Sequence, residues 1–509
     1  MSLRAIILPL ALAIPVAAPA LAERTFRLFG EGDAAAPFVL RPGLVGLPPE
    51  RPLAAARRSE SPAPAEPALA TPRDPAASLP GWEKRQRNFA LAAAEVAGLE
   101  VLPWLFNRYV LEGDYAYISL ETIQRNFQTG FTYDHDAFDT NQSSHPLHGS
   151  LYFNAARANG YSFWESGAFT FFGSFLWETV MESEPPSIND MVNTTLGGMA
   201  RGEIEHRLAI MIVDNTERGF GRVLREVAAL VVDPMGGFNR IVHGEWSRQF
   251  QNPPDRIPGR FYLELDALYQ HRSGSAVAGA DTVQGGGAAL VRYGDLFEGT
   301  HRAPFDYFDA SGEIVQPAAS VVTQIASRGL LTDWVLSDDP GARQRFGLFL
   351  HFDYFNDAPL YYGAQAFALD HLMRVPLGKE YELTTEIGLA ALPLAAVQSD
   401  YQTELENGEI NRGYDFSPGG GVHAFAYVRR HGVDVVKLGF SAQWQHTANG
   451  FSDNSRIESA TVQGRLPLSR RLALGGAWAW TSRFSTYSAL PSVYVSAVSW
   501  RVFGAVTFR

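Results

Sequence analysis

From about residue 259 to the end of the chain, apolar and polar residues alternate with a period of two. FYLELDALY sets Phe261, Leu263, Leu265, Ala267 and Tyr269 against Glu264 and Asp266. In FGLFLHFDY, Phe346, Leu348, Leu350, Phe352 and Tyr354 oppose His351 and Asp353. VVKLGFSAQWQ sets Val436, Leu438, Phe440, Ala442 and Trp444 against Lys437, Ser441 and Gln443. The last run places Val498, Trp500, Val502, Gly504, Val506 and Phe508 on one face. Successive strand residues point to opposite faces, so each run is a strand with one apolar side. The runs are about nine to eleven residues long, enough for a tilted strand to cross a bilayer. SGS, DPGA, RHGVD and SDNS separate them as turns. About a dozen such runs predict a transmembrane antiparallel β-barrel of about 12 strands over 251–509. A soluble β-sandwich uses shorter strands. In a barrel, the charged residues opposite the aromatic faces line the lumen.

The first half reads differently. Residues 82 to about 112 predict a helix that Pro103 breaks. Residues 115–133 look strand-like, with Ile118, Leu120 and Thr122 alternating with polar neighbours. Residues 146 to about 232 carry the best helical signal. Ser187 can cap a helix, with Asp190 three residues on. Gly198 and Gly202, four apart, let another helix approach closely. Phe220 to Val232 predicts an amphipathic helix ended by Asp233-Pro234, and Gly236-Gly237 a loop. The fold class is therefore mainly β with an α-helical insert, 81–250, that plugs or caps the barrel. ENGEINRGYD (406–415) reads as an exposed extracellular loop.

Composition sharpens this reading. MSLRAIILPLALAIPVAAPALA fits a secretory signal peptide cut after Ala22. Residues 23–80 are rich in Pro and Ala and predict a disordered segment. The chain has no cysteine, so neither disulfides nor thiolate chemistry is available to it. Its net charge of −12 argues against nucleic acid as a partner. After the signal, no run of 18 apolar residues predicts a conventional transmembrane helix. Yet aromatics are 12% of the chain, with 33 Phe. An exported, cysteine-free, aromatic-rich chain of this kind has the composition of an outer-membrane barrel. The expected location is the outer membrane of a Gram-negative cell, with outer-membrane lipids as neighbours.

The candidate chemistry sits in HPLHGSLYFNAARANG, residues 145–160, and the acidic stretch after it. Glu178 and Glu182 share a helix face, and Glu165 joins them if the helix is unbroken. Arg157, Arg201, His206 and Arg207 are candidate partners. His145 and His148 with the two glutamates have ligand types that suit zinc or iron. Their spacing is not that of a known site, so no metal or other cofactor is expected. Ser150, Ser166 or Ser187 with a histidine and an acid such as Asp190 would suit a hydrolase, but no G-x-S-x-G is present. The favoured reading is a polar core of Asn154, Arg157, Asn159, Glu165, Glu178, Glu182, Asn189, Glu203 and His206 that fastens helices inside the barrel.

HPLHGSLYFNAARANGYSFWES, GSFLWETVMESEPPSINDMVNTTLGG and REVAALVVDPMGGFNRIVHGEW together resemble a family of uncharacterised, mostly exported bacterial proteins. That resemblance implies an outer-membrane barrel with a helical portion and no assignable activity. Trp177-Glu178, Glu182, Ser187, Asp190, Gly197-Gly198 and Gly202 are also similar to small envelope lipoproteins built as an acidic helical hairpin. The ending VFGAVTFR resembles the aromatic C-terminal signature of outer-membrane proteins, with Phe508 penultimate. The expected function is structural or transport-like, with a small solute or envelope component as partner. The alternatives are a hydrolase acting on lipid A or phospholipid, and a soluble periplasmic binding protein.

Overall fold

The computed structural model describes residues 79–275, 282–318, 320–357, 360–401 and 412–509. The expected signal peptide, nearly all of the Pro/Ala-rich segment and most of the 406–415 loop lie outside the described residues. Twelve strands are described: β1 (Phe261–Gly274), β2 (Thr282–Tyr293), β3 (Phe308–Gln316), β4 (Gln324–Ser337), β5 (Arg343–Asp357) and β6 (Leu360–Leu377), then β7 (Tyr381–Gln398), β8 (Tyr414–Arg430), β9 (Val433–His446), β10 (Asn454–Pro467), β11 (Leu472–Thr486) and β12 (Val493–Phe508). Each pairs antiparallel with the next, and β1 pairs with β12 from Leu263↔Phe508 to Gly274↔Ala497, which closes the barrel. Turns 338–342, 378–380, 431–432 and 468–471 are short and lie at the end where β1 begins and β12 finishes. Short turns mark the periplasmic rim of such barrels.

The alternation separates two faces. Arg292 on β2 donates to Asp434 on β9 (2.8 Å), and Arg501 on β12 bridges Glu313 on β3 (2.7 Å). Arg465 on β10 pairs with Glu264 on β1, and Arg328 on β4 with Glu386 on β7. Bridges between non-neighbouring strands can only run through the interior, so this face is the lumen. The other face carries Ile387, Leu389, Trp500 and Val502, each more than 60% exposed. That is a lipid-facing belt. The protein is an outer-membrane β-barrel.

The helical region comprises α1 (Phe89–Phe106), α2 (Leu120–Thr129), α3 (His145–Ala158), α4 (Phe163–Leu176), α5 (Ile188–Val192), α6 (Gly198–Ile212), α7 (Gly219–Val232) and α8 (Pro234–Val242). The expected helical portion is present, but it does not lie in the lumen. Leu350, Phe352 and Tyr354 point to the same side of β5 as exposed Phe346, away from His351. They share one apolar core with Phe138, Phe153, Leu208 and Ile212 of the helical region. Leu263, Tyr293, Phe308 and Phe508, on the same outer face, join that core. The bundle is therefore docked on the outside wall, from the periplasmic ends of β1–β3 to the far ends of β5–β8. This replaces the expected plug, and the strands' own ion pairs cross the lumen instead.

The bundle exposes large apolar side chains and buries charged and amide groups. Phe89, Leu102, Phe172 and Phe220 are each at least 66% exposed. Inside, Asn159 Nδ2 and Asn239 Nδ2 donate to the Glu95 carboxylate at 2.9 and 3.0 Å. Arg157 grips Glu203 through two bonds, 2.7 and 3.0 Å, and Arg207 Nε donates to the same carboxylate at 2.9 Å. Phe89–Leu111 is a 23-residue helix long and apolar enough to cross a membrane, with mean hydropathy 1.6. The sequence hides it because Glu95 and Glu100 interrupt the apolar run, and both turn inward.

Three other local expectations change. Residues 115–133 hold helix α2, because Ser119 and Thr122 form a reciprocal cap and the alternation was only three positions long. Pro103 does not end α1. Lacking an N–H, it leaves the Leu99 carbonyl without its usual partner, and His148 Nε2 sits 3.2 Å from that oxygen. Gly236 and Gly237 belong to α8, whose first turn is capped by Asp233 through the Gly236 N–H (2.7 Å).

Helices α3 and α6 touch backbone to backbone. A Cβ on Gly149 would fall 1.9 Å from the Thr194 carbonyl oxygen, and one on Gly198 2.5 Å from Gly149. Two outcomes are expected. Unboiled protein extracted in detergent migrates differently from boiled protein, as a closed barrel does. Gly198→Val keeps that shift but lowers the melting of the helical circular dichroism signal, at a cost of about 1–3 kcal/mol from overpacking. Unchanged helical melting would refute the close α3–α6 approach.

Candidate functional site

The outer end of the bundle meets the barrel through a polar seam. Tyr354 OH donates to Asp139 Oδ1 (2.7 Å), and Asn356 bonds the same carboxylate. Asn141 Nδ2 donates to the Tyr414 hydroxyl (2.7 Å), which donates to the Asp136 carbonyl (2.7 Å). Arg412 reaches the Asp134 carbonyl from the loop before β8. Asn189, fully buried, donates to Asp134 Oδ1 (2.8 Å), Asn141 Oδ1 (3.0 Å) and Asp190 Oδ1 (2.9 Å). Amides are well suited to such a seam, since they both donate and accept without bringing charge into an apolar setting.

Behind the seam, three segments converge. His145 opens α3, Glu178 lies in the wide π-helical turn Trp177–Met181 after α4, and Asp190 lies in α5. One ligand-type atom from each falls within 4.8 Å of the other two. His145 Nε2 stands 3.3 Å from Asp190 Oδ1, and its Nδ1 is 3.4 Å from Thr194 Oγ1. Glu178 Oε2 accepts from the Ser187 N–H (2.9 Å), and the Ser187 hydroxyl accepts from the Asp190 N–H (3.2 Å). Glu182 follows in the loop; burial, and then the charge of Asp190, push its carboxyl well above the usual range. Asp136, also in a loop, is pushed up to about 6 by burial and by Asp134 and Glu184. The region is thus crowded with carboxyl groups that resist ionising together.

The other expected site residues fall elsewhere. His148 stacks on Tyr152 and against Trp177, apart from the His145 cluster. Glu165 caps α4 with Ser162 and pairs with Arg87 at the surface, because α4 does not carry an unbroken face to Glu178. None of the four proposed partners reaches Glu178 or Glu182. Arg157 and Arg207 hold Glu203, Arg201 holds Glu205 (2.6 Å), and His206 faces Asp233 (3.6 Å). Asn154 Nδ2 lies 3.4 Å from Glu205 Oε2. Ser150 bonds the Leu147 carbonyl and Ser187 caps α5, so neither is presented to a histidine.

A second grouping lies in the lumen and was not anticipated. His423 Nε2 is 3.0 Å from Asp370 Oδ1 and 3.5 Å from Glu386 Oε1, while Arg328 holds Glu386. Nothing in the spacing of these residues says that β6, β7 and β8 bring them to one height.

Residues 130–235 match a domain of unknown function, DUF3943, a span that contains His145, Glu178 and Asp190. No curated protein matches the chain. Among solved structures, the NanC porin aligns over 48% of this chain and 100% of its own at 11% identity, with a TM-score of 0.25. Pseudomonas aeruginosa OccK2 (OpdF) aligns over 50% and 99% at 10% identity, TM-score 0.22. The CymD monoaromatic hydrocarbon channel aligns over 50% and 89% at 7% identity, TM-score 0.24. The chain joins a segment similar to this domain of unknown function to a closed barrel of the outer-membrane type.

Proposed function

We propose that the protein binds a lipid-type component of the outer membrane along its wall, with the helical bundle itself immersed in the bilayer beside the barrel. One observation carries this reading: the bundle exposes large apolar side chains while burying paired ionisable groups, and it is seated on the face that elsewhere forms the lipid belt. In water such a surface would be covered. In hydrocarbon it is the stable arrangement, with ionisable groups turned inward and paired. Small residues at the α3–α6 contact fit the same setting. The soluble periplasmic alternative does not accommodate a closed barrel with an exposed apolar belt. A lipid-modifying hydrolase draws no support from the serines, and Thr194, whose hydroxyl lies 3.4 Å from His145 Nδ1, is buried.

Because the chain lacks cysteine, single cysteines can be placed at Phe172, Val231 and Trp500 and spin-labelled. In liposomes all three labels are expected to be reached by oxygen and shielded from a water-soluble nickel relaxant. Water access at Phe172 and Val231, with Trp500 shielded, would sink the proposal.

Solute passage is the second reading, favoured by the charged lumen face. The Arg292–Asp434 and Arg501–Glu313 bridges limit it to a narrow path. The expected wild-type conductance in planar bilayers is small, and Arg292→Ala combined with Asp434→Ala raises it severalfold. Equal conductance in both proteins would show that these bridges do not restrict the lumen.

A further inference from the structure

We propose that His145, Glu178 and Asp190 bind one divalent transition-metal ion inside the helical bundle, next to its seam with the barrel wall. The three candidate ligand atoms lie within 4.8 Å of one another and come from three separate segments. Around a zinc ion with ligands at about 2.0–2.2 Å, tetrahedral neighbours sit about 3.3–3.6 Å apart. A contraction of roughly an ångström, within reach of side-chain rotation, would complete the sphere. Sequence spacing could not suggest this set, since it replaces His148 and Glu182 with Asp190.

The charge arrangement points the same way. Glu178, Glu182 and Asp190 gather in the bundle interior, and no Arg or Lys pairs with any of them among the described residues. Elsewhere in the same bundle buried carboxylates do have guanidinium partners, as Glu203, Glu205 and Glu226 show. Glu95, held by two amides, and the buried Glu100 also lack one, but among the described residues of the bundle only here do carboxylates of this kind group with a histidine.

Two unsatisfied polar groups mark this place, one on a proposed ligand and one on a residue outside the set. His145 Nε2 is buried and has no well-formed hydrogen bond. Asn193, one turn beyond Asp190, is fully buried with both amide atoms unpartnered. Buried polar atoms are nearly always satisfied, so such a concentration suggests a missing ligand. The backbone is also widened at Thr140–Ser144 just before His145, at Trp177–Met181 around Glu178, and at Asn193–Gly197 after α5. π-helical turns are rare and frequent at functional sites. The lumen grouping of Asp370, Glu386 and His423 differs, because Arg328 already supplies the positive charge there.

One imidazole with carboxylates suits Zn²⁺, Mn²⁺ or Fe²⁺. The site does not depend on bundle immersion, so each proposal can fail without the other. The test uses full-length protein in detergent that shows the heat shift, stripped with chelator and dialysed against Zn²⁺ or Mn²⁺, with bound metal counted by emission spectrometry. About one equivalent is expected, with a higher melting temperature for the loaded protein. His145→Gln and Asp190→Asn should each weaken binding about tenfold or more, and His423→Gln should leave it unchanged. If either variant loses the heat shift, Glu178→Gln takes its place. Wild type that binds neither ion, variants that bind as wild type does, or loss of binding in His423→Gln would each overturn the assignment.

Discussion

A bilayer offers no water to hydrogen-bond, and that constraint organises this molecule from the backbone outward. Every N–H and C=O in the hydrocarbon region must be satisfied by the protein itself. The β1–β12 ladder meets the requirement by leaving no open strand edge. Once the sheet is closed, strict alternation does the rest, sending apolar side chains to lipid and charged ones to the lumen. The lumen charges then have few partners except one another, so they bridge across it in pairs such as Arg292–Asp434 and Arg465–Glu264.

With the bundle immersed beside the barrel, as proposed, the same constraint accounts for its side chains. Its helices satisfy their own backbones, and its ionisable side chains turn inward, where they find partners among apolar neighbours. Glu95 is held by Asn159 and Asn239, Glu203 by Arg157 and Arg207, and Glu226 by Arg222 and Arg240. Removing one partner of such a pair strands a buried charge, so the interior tolerates little change. The Pro103–Leu99–His148 contact is a local case of the same rule, with a carbonyl released by proline taken up by a side chain from another helix.

The barrel was legible in the sequence because period-two alternation is a local signal repeated along half the chain. Phe261 through Tyr269 and Val498 through Phe508 declared their faces without any knowledge of their neighbours. The candidate site was legible only in part. The segment around 145–190 is chemically dense, and Ser187 as the cap of α5 could be read directly from S-x-x-D. The grouping of His145 with Asp190 could not, because 44 residues and two helices separate them and the convergence depends on glycine-mediated contact between α3 and α6. Helix α1 was expected, but its membrane-crossing length was missed for the converse reason: its two glutamates look like breaks in an apolar run until a third dimension turns them inward.

The plug reading failed on a quantity the sequence already contained. A helix with its side chains is about 10–12 Å across. Barrels of eight strands are filled by their own side chains, and those of about 16 to 18 leave an aqueous channel. Twelve strands lie between these limits, while the helical signal called for several helices and the described residues contain eight. Such a bundle cannot enter such a barrel. It could only sit at a rim or against the wall, and the apolar exterior of its helices selects the wall. Strand count and helix count, read together, constrain the arrangement more tightly than either the hydrophobic pattern or the polar residues taken alone.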